Sequence, residues 1–231
     1  MNEITIYSKS INNLFKKWEE KHFYNGYKYF IRDGIVNPDI WYNMDCPKIC
    51  YFLKEAYTYE GKYDLPDLVK ELKNKEPWSM WKKVSIWTQA IHSAFLGDIS
   101  YVDENNYREN IDKIAVCNIK KSNGNSHSEE KNLEKFLNED LDELKEEILL
   151  INPDIILCGY TFRYLMEVLK DEDIIYDYKN SPLFAIWKDK LIIDYYHPAC
   201  FYPNRVNYYA LSKIVQVAMK NHNILTKYKK Y

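Results

Sequence analysis

The sequence predicts an α/β fold, a single three-layer domain with a central, mainly parallel four-stranded sheet and helices on both faces. Three observations lead there. Short apolar runs follow or contain turn signals at 48–56, 113–118 and 154–159, and amphipathic stretches of helical period separate them. At 231 residues the chain fills one core well and leaves little for a second domain. No internal repeat or low-complexity linker divides it. Residues 1–231 therefore read as one domain, with 1–44 a helical N-terminal extension, 45–220 the core and 221–231 a basic tail.

The elements follow in order. Residues 8–23 predict a helix, with Ile11, Leu14, Phe15 and Trp18 at helical spacing. Pro47 introduces KICYFLKEA, the first core strand, and helical stretches follow at 65–72 and 78–95. KIAVCN is the second core strand and empties into the polar segment IKKSNGNSHS. A helix begins near Ser126 or Ser128, where Ser126 and Glu129 are spaced as a capping box. Its stripe is Leu133, Phe136, Leu137, Leu141, Leu144 and Ile148, and its other face is acidic. Pro153 opens DIILCG, the third strand, and Gly159 allows a tight exit into a helix over 160–169. LFAIW and KLIIDYY, split at Lys188-Asp189, are a hairpin or adjacent strands. The last helix runs from Asn204, read as its N-cap, to Lys220.

Composition narrows the function. No apolar run approaches the roughly 18 residues that cross a membrane, and the N-terminus lacks the order of a secretion signal. A cytoplasmic monomer without a membrane partner is expected. Cys117 and Cys158 sit in apolar runs, as buried thiols do, and Cys46 and Cys50 have no second pair to complete a metal site. Neither a metal nor any other cofactor is expected. The net charge of −2 hides an asymmetry. From Tyr195 onward there is no Asp or Glu, against Arg205, Lys213, Lys220, Lys227, Lys229 and Lys230. Residues 129–147 carry nine acids against Lys131, Lys135 and Lys145. A basic end facing an acidic flank suits a polyanion partner, and a solvated lysine-rich tail accounts for it equally.

Ligands of parallel sheets bind beyond the carboxyl ends of the strands. Three such ends carry candidate chemistry. The first is Leu53-Lys54-Glu55-Ala56-Tyr57, whose carboxylate either serves catalysis or faces solvent. The second is Asn118, followed by Lys120, Lys121 and the turn Asn125-Ser126-His127. An Asn amide offers a donor and an acceptor on one plane and suits a base edge, or it ties down its own loop. The third is His197-Pro198-Ala199-Cys200-Phe201, where proline stiffens the segment after the histidine.

In this order the three ends resemble the uracil-DNA glycosylase superfamily. Leu53-Lys54-Glu55-Ala56-Tyr57 stands where one branch has GQDPY, and Glu55-Ala56 matches the acid and alanine of GEAPG in another. Ala115-Val116-Cys117-Asn118 is similar to LLLN, Asn125-Ser126-His127 to an Asn-Ser-His turn, and His197-Pro198-Ala199-Cys200-Phe201 to HPSPL. The resemblance covers roughly 45–220. The glycine and proline of the first motif are absent, Glu replaces Asp, and Ser and Pro are missing from the last, so it speaks to fold before substrate. The cysteine quartet of the iron–sulfur branches is also absent.

The resemblance implies a DNA glycosylase that hydrolyses the N-glycosidic bond of a flipped-out uracil or related pyrimidine, with DNA carrying that base as partner. Glu55 would stabilise the sugar cation and orient water, and a neutral His197 would donate to the developing oxyanion on the base. Tyr57 would border the base and Asn118 read its edge. Lys120, Lys121, Ser126, His127, Pro198, Phe201, Tyr202 and Arg205 would hold DNA, with Phe201 as a wedge. Packing of Phe201 and Tyr202 on the last helix is the alternative. Three other readings remain: a glycosylase for another modified or damaged base, a silent binder of DNA or protein, and an enzyme for a small nucleotide.

Overall fold

The computed structural model describes residues 2–57, 63–74, 79–97, 99–101, 107–124, 128–179 and 184–228. Helix α1 (Glu3–Tyr24) starts where the Asn2 side chain accepts from the Thr5 N–H at 2.9 Å. The apolar stripe expected for it is buried. Next come β1 (Gly34–Ile35), α2 (Pro38–Asn43), β2 (Ile49–Tyr57), α3 (Leu65–Glu71), α4 (Ser79–Ser93) and β3 (Ile114–Gly124). The second half is α5 (Glu130–Ile151), β4 (Ile155–Gly159), α6 (Phe162–Val168), β5 (Ile174–Asp177), β6 (Phe184–Trp187), β7 (Lys190–Tyr195) and α7 (Asn204–His222).

The sheet has seven strands in the order β1-β3-β2-β4-β7-β6-β5, a mixed sheet rather than the expected four. The central four, β3, β2, β4 and β7, are parallel. The other three are antiparallel additions. β6 and β7 form a hairpin through Lys188, whose left-handed φ of 57° turns the chain, and β5 extends it. At the far edge, two residues of β1 cover β3.

Side chains alternate into two cores, as a sheet covered on both faces requires. Ile49, Tyr51 and Leu53 of β2 enter one, with α3, α4 and α7. Cys50 and Phe52 enter the other, with α1, α5 and α6. The N-terminal extension is thus part of the domain: α1 packs on α5 and β1 belongs to the sheet. Part of the acidic run on α5 faces α1, while Glu129, Glu130, Glu134, Asp142 and Glu146 are exposed. Asp140 is fully buried against His22 at 2.8 Å, and Lys21 reaches Glu143 at 2.7 Å. The helix kinks at Asp140, where φ is −121° and ψ 16°.

Three local expectations are corrected. β3 does not end at Asn118 but continues to Gly124, because β2 runs on beside it and pairs Glu55 with Lys120. Helix α5 starts at Glu130 with no side-chain cap, and Ser126 of the expected capping box lies outside the described residues. Asn204 is the first helical residue of α7, preceded by Pro203, instead of the cap. Among the described residues no helix is long and apolar enough to cross a membrane. All five cysteines are free, and no group of described His, Cys, Asp and Glu residues could hold a metal ion.

Candidate functional site

The strand order sets the spacing of the three candidate ends. β4 lies between β2 and β7, so Glu55 and His197 are not on neighbouring strands. Their strands are roughly 9–10 Å apart, two sheet spacings. Asn118 is not on the strand between them, because β3 lies on the outer side of β2. The element between them is the end of β4, Gly159-Tyr160, which sequence reasoning treated only as an exit.

Gly159 lets the ends converge. A Cβ there would stand 2.8 Å from Leu53 Cδ2, 3.3 Å from Pro198 Cδ and 3.4 Å from the His197 Cα. Pro198 is buried by this packing, so it shapes the segment and has no surface for DNA. Tyr160 follows with a φ of 59°, a strained value for a bulky side chain that costs about 1–2 kcal/mol. Its N–H is held by the carbonyls of Cys158 and Tyr195 at 3.1 and 3.0 Å.

His197 follows β7 by two residues. Its Nδ1 accepts from the Ala199 N–H at 3.1 Å. Burial, and then the charge of Lys54, lower its pKa to about 4. At neutral pH the ring is therefore uncharged with its proton on Nε2, a hydrogen-bond donor fixed by its own loop. That loop is tethered: Lys83 Nζ donates to the Cys200 carbonyl, the Cys200 N–H to the His197 carbonyl, and the Asn207 amide to the Tyr202 carbonyl. Phe201 at its tip is 104% exposed, which removes packing on α7 as its role. Tyr202 is half exposed, and Arg205 lies 4.8 Å over the Tyr101 ring.

The opposite end is closed. The Glu55 side chain is 7% exposed, lies against the Gly124 backbone and accepts from Lys120 Nζ at 2.9 Å. Lys120 is committed to that pair and to the Phe136 ring at 5.4 Å, and little of it reaches solvent for a phosphate. Asn118 is buried level with Leu53. Its backbone N–H and side-chain amide both donate to Asp33 Oδ2, at 2.7 and 3.1 Å. Lys121, expected to contact DNA, is instead fully buried between Asp33 and Glu147, at 2.5 Å from each. Burial disfavours the Lys121 charge, but Asp33, with Cys117 and Glu147, outweighs it and raises the pKa. Burial first, then the Asp33 carboxylate, push Glu147 well above the usual carboxylate range. Asp33 comes from the extension, 85 residues before Asn118, with no sequence signal linking them.

Tyr57 keeps its place in β2 opposite Gly124, but its side chain lies outside the described residues, as do Ser126 and His127 entirely. A groove of about 270 Å³ opens beside the sheet ends, lined by Lys54, Ser128, Glu130, Leu133, Tyr160, Arg163 and Tyr164. It adjoins the candidate residues without being lined by them. Arg163 pairs with Glu130 there. Lys54 was visible only as a residue inside a motif; its place in the groove and its effect on His197 came from the fold.

No protein-family model matches the chain, and no curated protein matches it either.

Proposed function

We propose that the chain is a DNA glycosylase acting on a flipped-out uracil or related pyrimidine, a hydrolase of N-glycosyl bonds serving base excision. The observation that carries this reading is His197, a neutral imidazole with its Nε2 proton available at the carboxyl ends of the parallel central strands. Breaking the bond between base and deoxyribose leaves negative charge on the base. A preorganised neutral donor stabilises that charge without a proton having to leave first. In the same reading Glu55 faces the sugar, where positive charge develops, and Lys120 orients its carboxylate. The base departs carrying the electrons of the broken bond, water adds to the sugar carbon, and the proton that this water loses ends on the departed base, leaving a neutral base and an abasic site.

A second reading has its own support. Glu55 is ion-paired and Asn118 donates to Asp33, which suits a member of the same fold that binds nucleic acid without turnover. One screen separates the two: oligonucleotides bearing uracil, other damaged bases or hypermodified pyrimidines, scored for abasic sites. Base release from any of them supports the glycosylase and its product names the base. Binding without release from all of them supports the silent binder.

A further inference from the structure

Four aromatic residues stand open to solvent along the ends of β4 and β7. Tyr160 is 53% exposed, Tyr196 37%, Tyr202 49%, and Phe201 completely. Tyr196 joins the tyrosines on either side, with ring centroids 5.8 Å from Tyr160 and 4.7 Å from Tyr202. The contacts are tilted or edge-on, so the rings support one another and leave much of their surface uncovered. Scattered exposed apolar residues need no explanation, but a contiguous aromatic row does.

The backbone under Tyr160 sharpens the point. A left-handed residue directly after a strand would be a glycine if only the turn mattered. Here a tyrosine takes the strained conformation, and its ring packs into no core. The strain presents the ring outward. Lys54 borders the row, sharing the groove with Tyr160, and the exposed Arg205, over the Tyr101 ring, follows Tyr202 by three residues. Arg163 and Glu130 in the groove are paired with each other, and Asp194 is half-buried.

We propose that Tyr160, Tyr196, Tyr202 and Phe201 form a stacking track for the unpaired bases of a single strand, with Lys54 and Arg205 beside it for phosphates. The track rests on the reading above only in taking nucleic acid as the occupant. Bases inside a duplex have their faces covered and cannot use it, whereas every unpaired base has a face to offer. The protein therefore selects single-stranded DNA, or a strand opened around the target.

Binding is measured by fluorescence anisotropy with a labelled 15-nucleotide oligothymidine, its duplex, and an abasic oligomer of equal length. The wild type is expected to bind oligothymidine at least tenfold more tightly than the duplex or the abasic strand. Tyr160→Gly, which relieves the φ strain, should keep or raise the thermal midpoint while weakening oligothymidine binding about 5–150-fold, the range of one lost stacked base. Tyr202→Ala should weaken it similarly, and Tyr202→Phe should not. Equal affinity for the three probes, no binding to any, or unchanged oligothymidine affinity in both Tyr160→Gly and Tyr202→Ala overturns the track. The two proposals fail separately. Tyrosine-dependent binding with no base released keeps the track and ends the glycosylase, while base release indifferent to Tyr160 and Tyr202 does the reverse.

Discussion

The two halves of the carboxyl edge are built in opposite ways. At the β2–β3 end, polar groups are buried and paired with one another: Glu55 with Lys120, Asn118 with Asp33, and Lys121 with Asp33 and Glu147. At the β4–β7 end, His197 is held by one backbone N–H, and a row of aromatic rings faces water. The difference teaches that residues of similar chemical promise have unequal freedom to act. Asn118 and Lys121 at the first end are occupied by the fold and Glu55 is held by a single lysine, whereas the second end presents groups that the fold positions and leaves available.

The largest expected effect comes from breaking the closed end. Lys121→Met leaves two carboxyl groups facing each other in the interior, and removing one partner of a buried ion pair costs about 3–5 kcal/mol. For a chain of this size that is a fall in thermal midpoint of roughly 6–20 °C, read by calorimetry. Oligothymidine affinity of the folded fraction should not change. A loss below about 1 kcal/mol would mean that the cluster is relaxed or hydrated.

Gly159→Ala attacks the join between the halves. Its Cβ would meet the Leu53 side chain at 2.8 Å and the Pro198 ring at 3.3 Å, so we expect about 1–3 kcal/mol of destabilisation, as for other overpacked sites. Chemical denaturation measures it. An unchanged midpoint would show that the strand ends do not close over this glycine.

A smaller effect concerns pH. His197 has its pKa lowered to about 4 by burial and Lys54, and His92 to about 4 by burial, partly offset by its bond to the Pro47 carbonyl. A lowered histidine pKa means that the unfolded chain binds more protons between about pH 6.5 and 4. These two groups therefore contribute stability that is full above pH 6.5 and lost as pH falls to 4. His197→Ala should flatten that part of the stability profile. Nitrogen-15 NMR of the imidazole should find the Nε2–H tautomer throughout neutral pH. Titration near 6.5 would place His197 in water.

How much of this was legible follows from which signals are local. The parallel core was, because Ile49, Ile114, Ile155 and Leu191 begin apolar runs that no other element could absorb. β1 was not, since two residues carry no period, and β5 is a short, half-exposed pairing. The outer part of β3 was hidden by its polarity: Lys120 and Lys121 look like a solvated loop until acids from β2, the extension and α5 surround them. The same long-range pairing is why Lys121 looked like a DNA contact. His197-Pro198 and Phe201 stood out because a histidine and an aromatic tip beside a proline are informative within one segment. Tyr160 and Tyr196 became visible as a row only once β4 and β7 were neighbours.

In the proposed reaction a neutral His197 at the open end works with Glu55 to break a glycosidic bond. Single-turnover base release from a uracil-bearing single strand tests it, comparing the wild type with His197→Ala and Glu55→Gln at equal folded concentration. Release by the wild type is expected, with a loss of about 10²–10³ for His197→Ala and about 10²–10⁴ for Glu55→Gln and strand binding retained in both. Wild-type rates in either variant, or no release by the wild type here or from any other base in the screen, would contradict it.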